Sequence, residues 1–279
     1  MKLIAESGAT KTDWRLIADD GTVRSAYSAG LNPSVLDVEQ MREIIAPVMP
    51  VLNPEGKSVE EIFFYGAGLV SDAAAAPLAG VLSMWYPFAQ MEFHSDMLAA
   101  ARALFGNGSG VVAIMGTGSN SCLYENGVIV KNIRPGGFIL GDEGSGAALG
   151  KAFVSDFIKG LLPDNVEEEF VKEYGLDYQK IVQKVYREPA ASAFLASFAP
   201  FILERTEESY IKNLVDSVIE SFVVRSLKRY GQTVKVGVVG SFGCACEAVL
   251  RETGIRHGLE FTMFLKSPID KLTEYHMKF

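Results

Sequence analysis

The chain has 279 residues, 48% of them hydrophobic and 22% charged, with a net charge of −8. This profile excludes a disordered chain, and the acidic balance argues against a nucleic-acid partner, which requires a basic face. Three cysteines, Cys122, Cys244 and Cys246, are too few and odd in number for a disulfide framework.

The chain opens Met1-Lys2-Leu3-Ile4-Ala5-Glu6, meeting an acid after three apolar residues, so no signal peptide is expected. The longest weakly polar run, residues 73–89, is broken by Pro77, Gly80, Ser83 and Pro87 and is shorter than the roughly 20 residues of a membrane span. A cytoplasmic protein with no membrane partner is expected.

In chain order, residues 2–5 read as an apolar strand that runs into the small-residue turn Ser7-Gly8-Ala9. Strands at 13–18 and 22–26 flank Asp19-Asp20-Gly21, a hairpin turn. Val38, Met41, Ile44, Ile45 and Val48 recur at helical spacing and predict one helix over 37–48. Residues 62–65 form an apolar strand ending in Gly66-Ala67-Gly68, and a strand at 91–94 leads through Ser95-Asp96 into a helix. The pattern then restarts. Residues 111–115 are an apolar strand running into Gly116-Thr117-Gly118-Ser119, a second strand follows, and Asn126-Gly127 is a strong hairpin signal. Residues 143–229 read as mostly helical, 234–239 and 260–264 as strands, and 270–278 as a helix that crosses back to the first lobe. The prediction is an α/β fold of two duplicated lobes: 1–97 with the C-terminal helix 268–279, and 98–267.

Both glycine turns suit a phosphate chain, which needs converging backbone N–H donors without bulky side chains in the way. Gly8, Thr10, Lys11 and Thr12 meet that need, as do Gly116, Thr117 and Gly118. Either turn alone could be a plain β-turn; two at equivalent places in a repeated topology point to phosphate. A near match to the Walker pattern at residues 145–152 fails at Ser145 and Ala152 and is set aside. The stretch from Gly136-Gly137 to Gly146 is dense in glycine and holds Asp142 and Glu143. Asp142 either caps the following helix or meets a ligand. Asp96 sits where a strand gives way to a helix, and either caps that helix or accepts a hydroxyl proton in phosphoryl transfer. The triple Glu at 167–169 reads as a solvated helix start favoured by the helix dipole. His94, His257 and His276 are scattered, and no Cys/His spacing suits zinc.

The series Gly8–Thr12, Asp96, Gly116–Asn120, Gly136-Gly137, Gly141–Ser145 and Gly240-Ser241 resembles the BadF/BadG/BcrA/BcrD ATPase family, most closely its N-acetylglucosamine kinase branch. The resemblance runs from residue 3 to about 245. It implies duplicated ribonuclease-H-like lobes with ATP in the cleft. Gly8, Thr10, Lys11 and Thr12 would form one phosphate site, and Gly116, Thr117 and Gly118 the other. Gly240 and Ser241 would line the adenosine pocket. Asp96 matches the catalytic base, while Asn32, Asn120, Gly136, Gly137 and Asp142 match the sugar side. Mg²⁺ would lie near Glu6 and Asp142. The family opens its first phosphate turn with Asp; here Glu6 carries the carboxylate about one bond length further out. Activase members hold an iron–sulfur cluster on cysteines, and the three cysteines here form no such motif. The expectation is an ATP-dependent kinase of an amino sugar, N-acetylglucosamine first among candidates, in a fold that often forms homodimers. The rivals are an ATPase that drives a partner protein and a sugar or nucleotide sensor weakened at Glu6.

Overall fold

The computed structural model describes every residue except Ala9, Val70, Gln232, Thr233 and Phe279. Two α/β units emerge: Met1–Asn107 with the C-terminal stretch from Pro268, and Gly108–Ser267. In the first, β1 (Lys2–Ser7), β2 (Lys11–Ile17), β3 (Val23–Ala29), β4 (Glu61–Gly66) and β5 (Gln90–Ser95) form a sheet ordered β3-β2-β1-β4-β5. The hairpin strands run antiparallel, while β1, β4 and β5 are parallel. Helices α1 (Val38–Ile45), α2 (Met49–Leu52), α3 (Asp72–Ser83) and α4 (Asp96–Phe105) complete this part.

The second unit repeats the scheme with β6 (Gly110–Met115), β7 (Ser119–Glu125) and β8 (Val128–Ile133). Seven helices follow: α5 (Gly137–Leu140), α6 (Gly146–Ile158), α7 (Asp164–Tyr174), α8 (Tyr178–Tyr186), α9 (Ala191–Ala196), α10 (Ala199–Leu203) and α11 (Ser209–Arg225). Then come β9 (Lys235–Val239), α12 (Ser241–Ala245), α13 (Glu247–His257) and β10 (Glu260–Leu265). The sheet order, β8-β7-β6-β9-β10, is that of the first unit with the same strand directions. The duplication expected from the two Gly/Thr turns is therefore complete at the level of strand pairing. Helix α14 (Ile269–Lys278) returns to the first unit.

Strand periodicity builds the first core. Leu3 and Ala5 of β1, with Phe64 of β4, pack toward Met41 and Ile45 of α1 and Leu78 of α3. Ile4, Phe63 and Tyr65 point to the other face, against Ala99 of α4 and Ile269 and Leu272 of α14. Two expectations change here. The helix expected over 37–48 stops at Ile45: Ala46 keeps helical dihedrals as its C-cap, but Pro47 has no N–H to carry the hydrogen-bond ladder on. The lobe boundary falls after Asn107 rather than after Met97, since α4 packs on the first sheet and on α14. Among the described residues no helix is long and apolar enough to cross a membrane.

Polar contacts also hold α14. Arg15 Nη2 pairs with Asp270 Oδ1 at 3.1 Å, and the Tyr275 hydroxyl donates to Asn107 Oδ1 at 3.1 Å. His276 stacks on Phe63 with ring centroids 3.9 Å apart, and its Nε2 lies 2.8 Å from the Tyr65 hydroxyl. Arg102 also donates to that hydroxyl. Burial, helped by the charges of Arg102, Lys2 and His94, pulls the His276 pKa down to about 3. The imidazole is then neutral in the fold, and Nε2 can accept the Tyr65 proton. Unfolding releases a histidine that titrates near 6.5, so protons favour the unfolded chain and stability falls as pH drops from about 6.5 toward about 3. His276→Gln keeps an acceptor but cannot ionise. Urea unfolding across pH 4–7 should show a shallower acid decline for this variant than for the wild type, while equal slopes would place the acid sensitivity elsewhere.

Candidate functional site

In the first unit the register brings Ser7, Gly66 and Ser95 abreast at the carboxyl ends of β1, β4 and β5. The edge of an open parallel sheet is where ligands gather, because the chain leaves each strand there through a turn or a helix N-terminus. Gly8, Gly68 and Asp96 follow these strand ends, and β2 starts at Lys11 beside them. Ala9, the middle of the first glycine turn, lies outside the described residues. Gly8 N–H donates to the Lys11 carbonyl at 2.9 Å, and Gly30 N–H to the Thr10 carbonyl at 3.1 Å.

Glu6 lies opposite Asp13 in the β1–β2 register. Burial first, then the charges of Asp13 and Asp96, push the Glu6 carboxyl up to about 7, with Lys11 pulling the other way. Lys11 Nζ forms an ion pair with Asp13 Oδ2 at 2.9 Å. Asp13 is buried and was absent from the sequence-based candidates; its signal was an acid placed between Thr12 and Trp14 in an otherwise buried strand. Asp96 does not cap α4. Ser95 does, accepting from Leu98 N, while Asp96 Oδ1 accepts from Met97 N at 2.8 Å. Burial raises the Asp96 pKa. Thr12 departs from expectation: its side chain is buried, 2.9 Å from the Ser7 hydroxyl and 3.0 Å from the Ala29 carbonyl. Ser7 in turn bonds Leu31 N at 2.8 Å, so Thr12 braces the turn and has no face for a phosphate. Asn32 sits against the turn after β4. A Cβ on Gly68, whose φ is +82°, would come within 2.2 Å of Asn32 Oδ1.

In the second unit the Gly116 and Thr117 carbonyls accept from Gly146 N and Ala147 N at the start of α6, at 2.9 and 3.0 Å. Ser145 caps that helix, so Asp142 is not its cap, and the helix begins at Gly146 rather than near Glu143. Asp142 takes a left-handed backbone, φ +55°, and a Cβ on Gly118 would approach its Oδ2 to 2.9 Å. Burial raises the Asp142 pKa, opposed by a hydrogen bond from the Ser119 backbone. Gly136 and Gly137, both at positive φ, start the loop, and Gly141 passes so close to the Pro135 carbonyl that a Cβ would lie 1.8 Å from it. Glu143 is held by Arg225 at 2.7 Å. Lys151 of the near-Walker stretch donates to the Phe138 carbonyl at 2.8 Å and so braces this loop.

A slot of about 470 Å³ joins Gly116 and Thr117 to Ser241. Its walls include Ala196, Ala199 and Leu203 from α9 and α10 and Phe242 and Ala245 from α12, with Glu204 as the charged lining residue. Gly240 lies behind it, where a Cβ would be 2.1 Å from the Met115 carbonyl. The second glycine turn, expected to meet phosphate, and Ser241, expected to line the adenosine pocket, thus share one cleft. The wall on α9 and α10 was missed from sequence, because its small and apolar residues look like ordinary helix packing.

The carboxylate cluster carries a stability cost. With its pKa raised in the fold, Glu6 keeps its proton after the unfolded chain has lost it, so wild-type stability falls as pH rises from about 4.5 to about 7. Glu6→Gln removes that loss. Its melting-temperature advantage over wild type should be larger at pH 8 than at pH 5, and an advantage independent of pH would overturn this account.

Several solved structures are similar. One from Porphyromonas gingivalis, provisionally named an N-acetylglucosamine kinase, is 37% identical over 100% of this chain and 99% of that one, with a TM-score of 0.94. One from Chromobacterium violaceum, provisionally named in the same way, is 19% identical over 98% of both chains, with a TM-score of 0.75. A ROK family glucokinase from Streptomyces griseus, solved with glucose and AMPPNP, is 12% identical over 98% of this chain and 97% of that one, with a TM-score of 0.60. The last two show the fold alone, the α/β fold of sugar kinases. No curated protein matches. The BadF/BadG/BcrA/BcrD ATPase family profile covers residues 6–245, and with the duplicated sheets and paired glycine turns already described, the chain belongs to that family.

Proposed function

We propose that this protein is a cytoplasmic kinase that transfers the γ-phosphoryl group of ATP to a hydroxyl of an amino sugar, N-acetylglucosamine being the best single substrate. The observation that carries the reading is the slot joining Thr117 to Ser241, a largely apolar cleft opening from a glycine turn. Such a cleft suits a purine whose phosphates leave toward backbone donors. The 37% identity along the whole length to the Porphyromonas gingivalis structure supports the choice of sugar.

In this reading Thr10, Lys11 and the glycines beside them meet the phosphates, and Asn32, Asn120 and Asp142 meet the sugar. The sugar hydroxyl oxygen attacks the γ-phosphorus, the bond to the β–γ bridging oxygen breaks, and ADP leaves. Asp96 takes the hydroxyl proton and later returns it to water. A carboxyl raised by burial holds that proton better than an exposed one would. The oxygen donors around Glu6 fit Mg²⁺, which would neutralise phosphate charge when bound. Among the described residues no three acidic, histidine or cysteine side chains close on one point, so the nucleotide and water would complete its shell. The same Glu6 gives a second reading some support: a carboxyl titrating near 7 suits a sensor with weakened chemistry. Sugar-dependent ADP release by the wild type separates the two.

Two variants test the assignment. Ala245→Trp, at an exposed position in the slot wall, should weaken ADP binding by at least about tenfold, or 1.4 kcal/mol, with the melting temperature near wild type. Calorimetry that returns the wild-type affinity would move the nucleotide elsewhere. Asp96→Asn leaves the Ser95 cap in place and removes only the proton acceptor. It should bind ATP and sugar normally yet turn over at least about a hundredfold more slowly. Sugar phosphorylation at the wild-type rate would remove Asp96 from the chemistry.

A further inference from the structure

Asn120 and its neighbours carry more information than a sugar contact requires. Asn120 lies near the start of β7, one residue after Ser119, whose backbone bonds Asp142. The Ser121 backbone N–H donates to Asn120 Oδ1 at 2.9 Å. Asn132, on the edge strand β8, donates from Nδ2 to the same Oδ1 at 2.9 Å and to the Ser121 carbonyl at 2.6 Å.

The two ends of a side-chain amide differ only in whether they donate or accept. Here backbone groups of one residue decide both amides. The Ser121 N–H can only donate, so the Asn120 atom facing it is the oxygen. The Ser121 carbonyl can only accept, so the Asn132 atom facing it is the nitrogen. Turning Asn120 over would set its NH₂ against both the Ser121 N–H and the Asn132 NH₂, donor against donor. Among the described residues Asn120 Nδ2 has no hydrogen-bond partner, and the residue is half-buried.

We infer that Asn132 is a positioning residue that locks the Asn120 amide so that its Nδ2 donates to an oxygen acceptor of the substrate. The inference rests on the kinase reading above and adds the polarity of the subsite. Asn120 offers a donor, while Asp142, when ionised, offers only acceptors. Together they select a ligand that presents an oxygen acceptor to the first and a hydroxyl to the second. An acceptor-for-donor exchange at the first contact is rejected, because the lock leaves Asn120 no means of turning.

The test replaces the lock and reads the sugar contact apart from the nucleotide. Asn132→Asp puts a carboxylate, which cannot donate, against the Ser121 carbonyl and draws Asn120 Nδ2 inward. The KM for N-acetylglucosamine should rise at least about tenfold (1.4 kcal/mol), with the KM for ATP and the melting temperature unchanged. Asn132→Ala, which removes the lock without adding charge, should move the sugar KM in the same direction by less. In the wild type the ¹⁵N side-chain resonance of Asn120 should shift on adding the sugar, and in Asn132→Asp that shift should vanish. A wild-type sugar KM in both variants overturns the inference and leaves the kinase reading standing. Sugar and ATP KM rising together, or both variants melting well below wild type, makes Asn132 a brace for β8 and overturns it too. A wild type that neither binds nor phosphorylates an amino sugar overturns the kinase reading, and this inference with it.

Discussion

The parallel pairing of the first strand of each unit with a strand reached through a crossover is the constraint on which the rest depends. β1 pairs with β4, and β6 with β9, both in parallel register. Parallel pairing puts carboxyl ends side by side, while the antiparallel hairpin beside it places its tight turn at the same edge. Several candidate residues of the first unit gather at that edge: Glu6 near the end of β1 and Gly8 after it, Gly68 after β4, Asp96 after β5. In the second unit the edge carries Gly116, Gly240 and Ser241, and the slot opens from it.

Collecting polar groups at one edge requires that they not be consumed by the helices that start there. Serines do the capping. Ser95 caps α4 and Ser145 caps α6, each accepting from a backbone N–H three residues on. A cap is worth about 1 kcal/mol, and serine supplies it without charge. Asp96 and Asp142 are thereby free of that duty. Both pay for the position in raised pKa values through burial, and Glu6, with Asp13 and Asp96 beside it, is raised furthest. Glu6 and Asp13 stand opposite one another across β1 and β2, and like charges so placed destabilise a strand pair. The surrounding core must offset that cost.

The offset comes from packing that the site does not touch. The first sheet is covered on both faces, and α14 supplies one cover from the far end of the chain through Ile269, Leu272 and the neutral His276. In the second unit the aromatic cluster around Phe153, Phe170, Phe198 and Phe201 joins α6, α7 and α10 into the wall behind the slot. Rigid walls would keep the cleft open for the planar base proposed to enter it.

Local signals in the sequence determined a good part of this. Strand runs ending in Gly/Thr turns, the Asn126-Gly127 hairpin and the restart at residue 111 are short-range patterns, and period-two burial with glycine turns leaves few other arrangements for them. They are enough to place Gly8, Thr10, Lys11, Gly116, Thr117 and Ser241 at strand ends. Tertiary structure alone decided which neighbouring residue does which task. Thr12 faces inward because β2 turns that side chain toward Ser7 and Ala29, and Asp13 enters the cluster because cross-strand register sets it opposite Glu6. Neither the cleft wall on α9 and α10 nor the hold of Asn132 on Asn120 follows from spacing. Each depends on residues distant in sequence or on different strands. Such contacts are set by the packing of whole elements, and a single sequence records element type far more plainly than it records which surfaces meet.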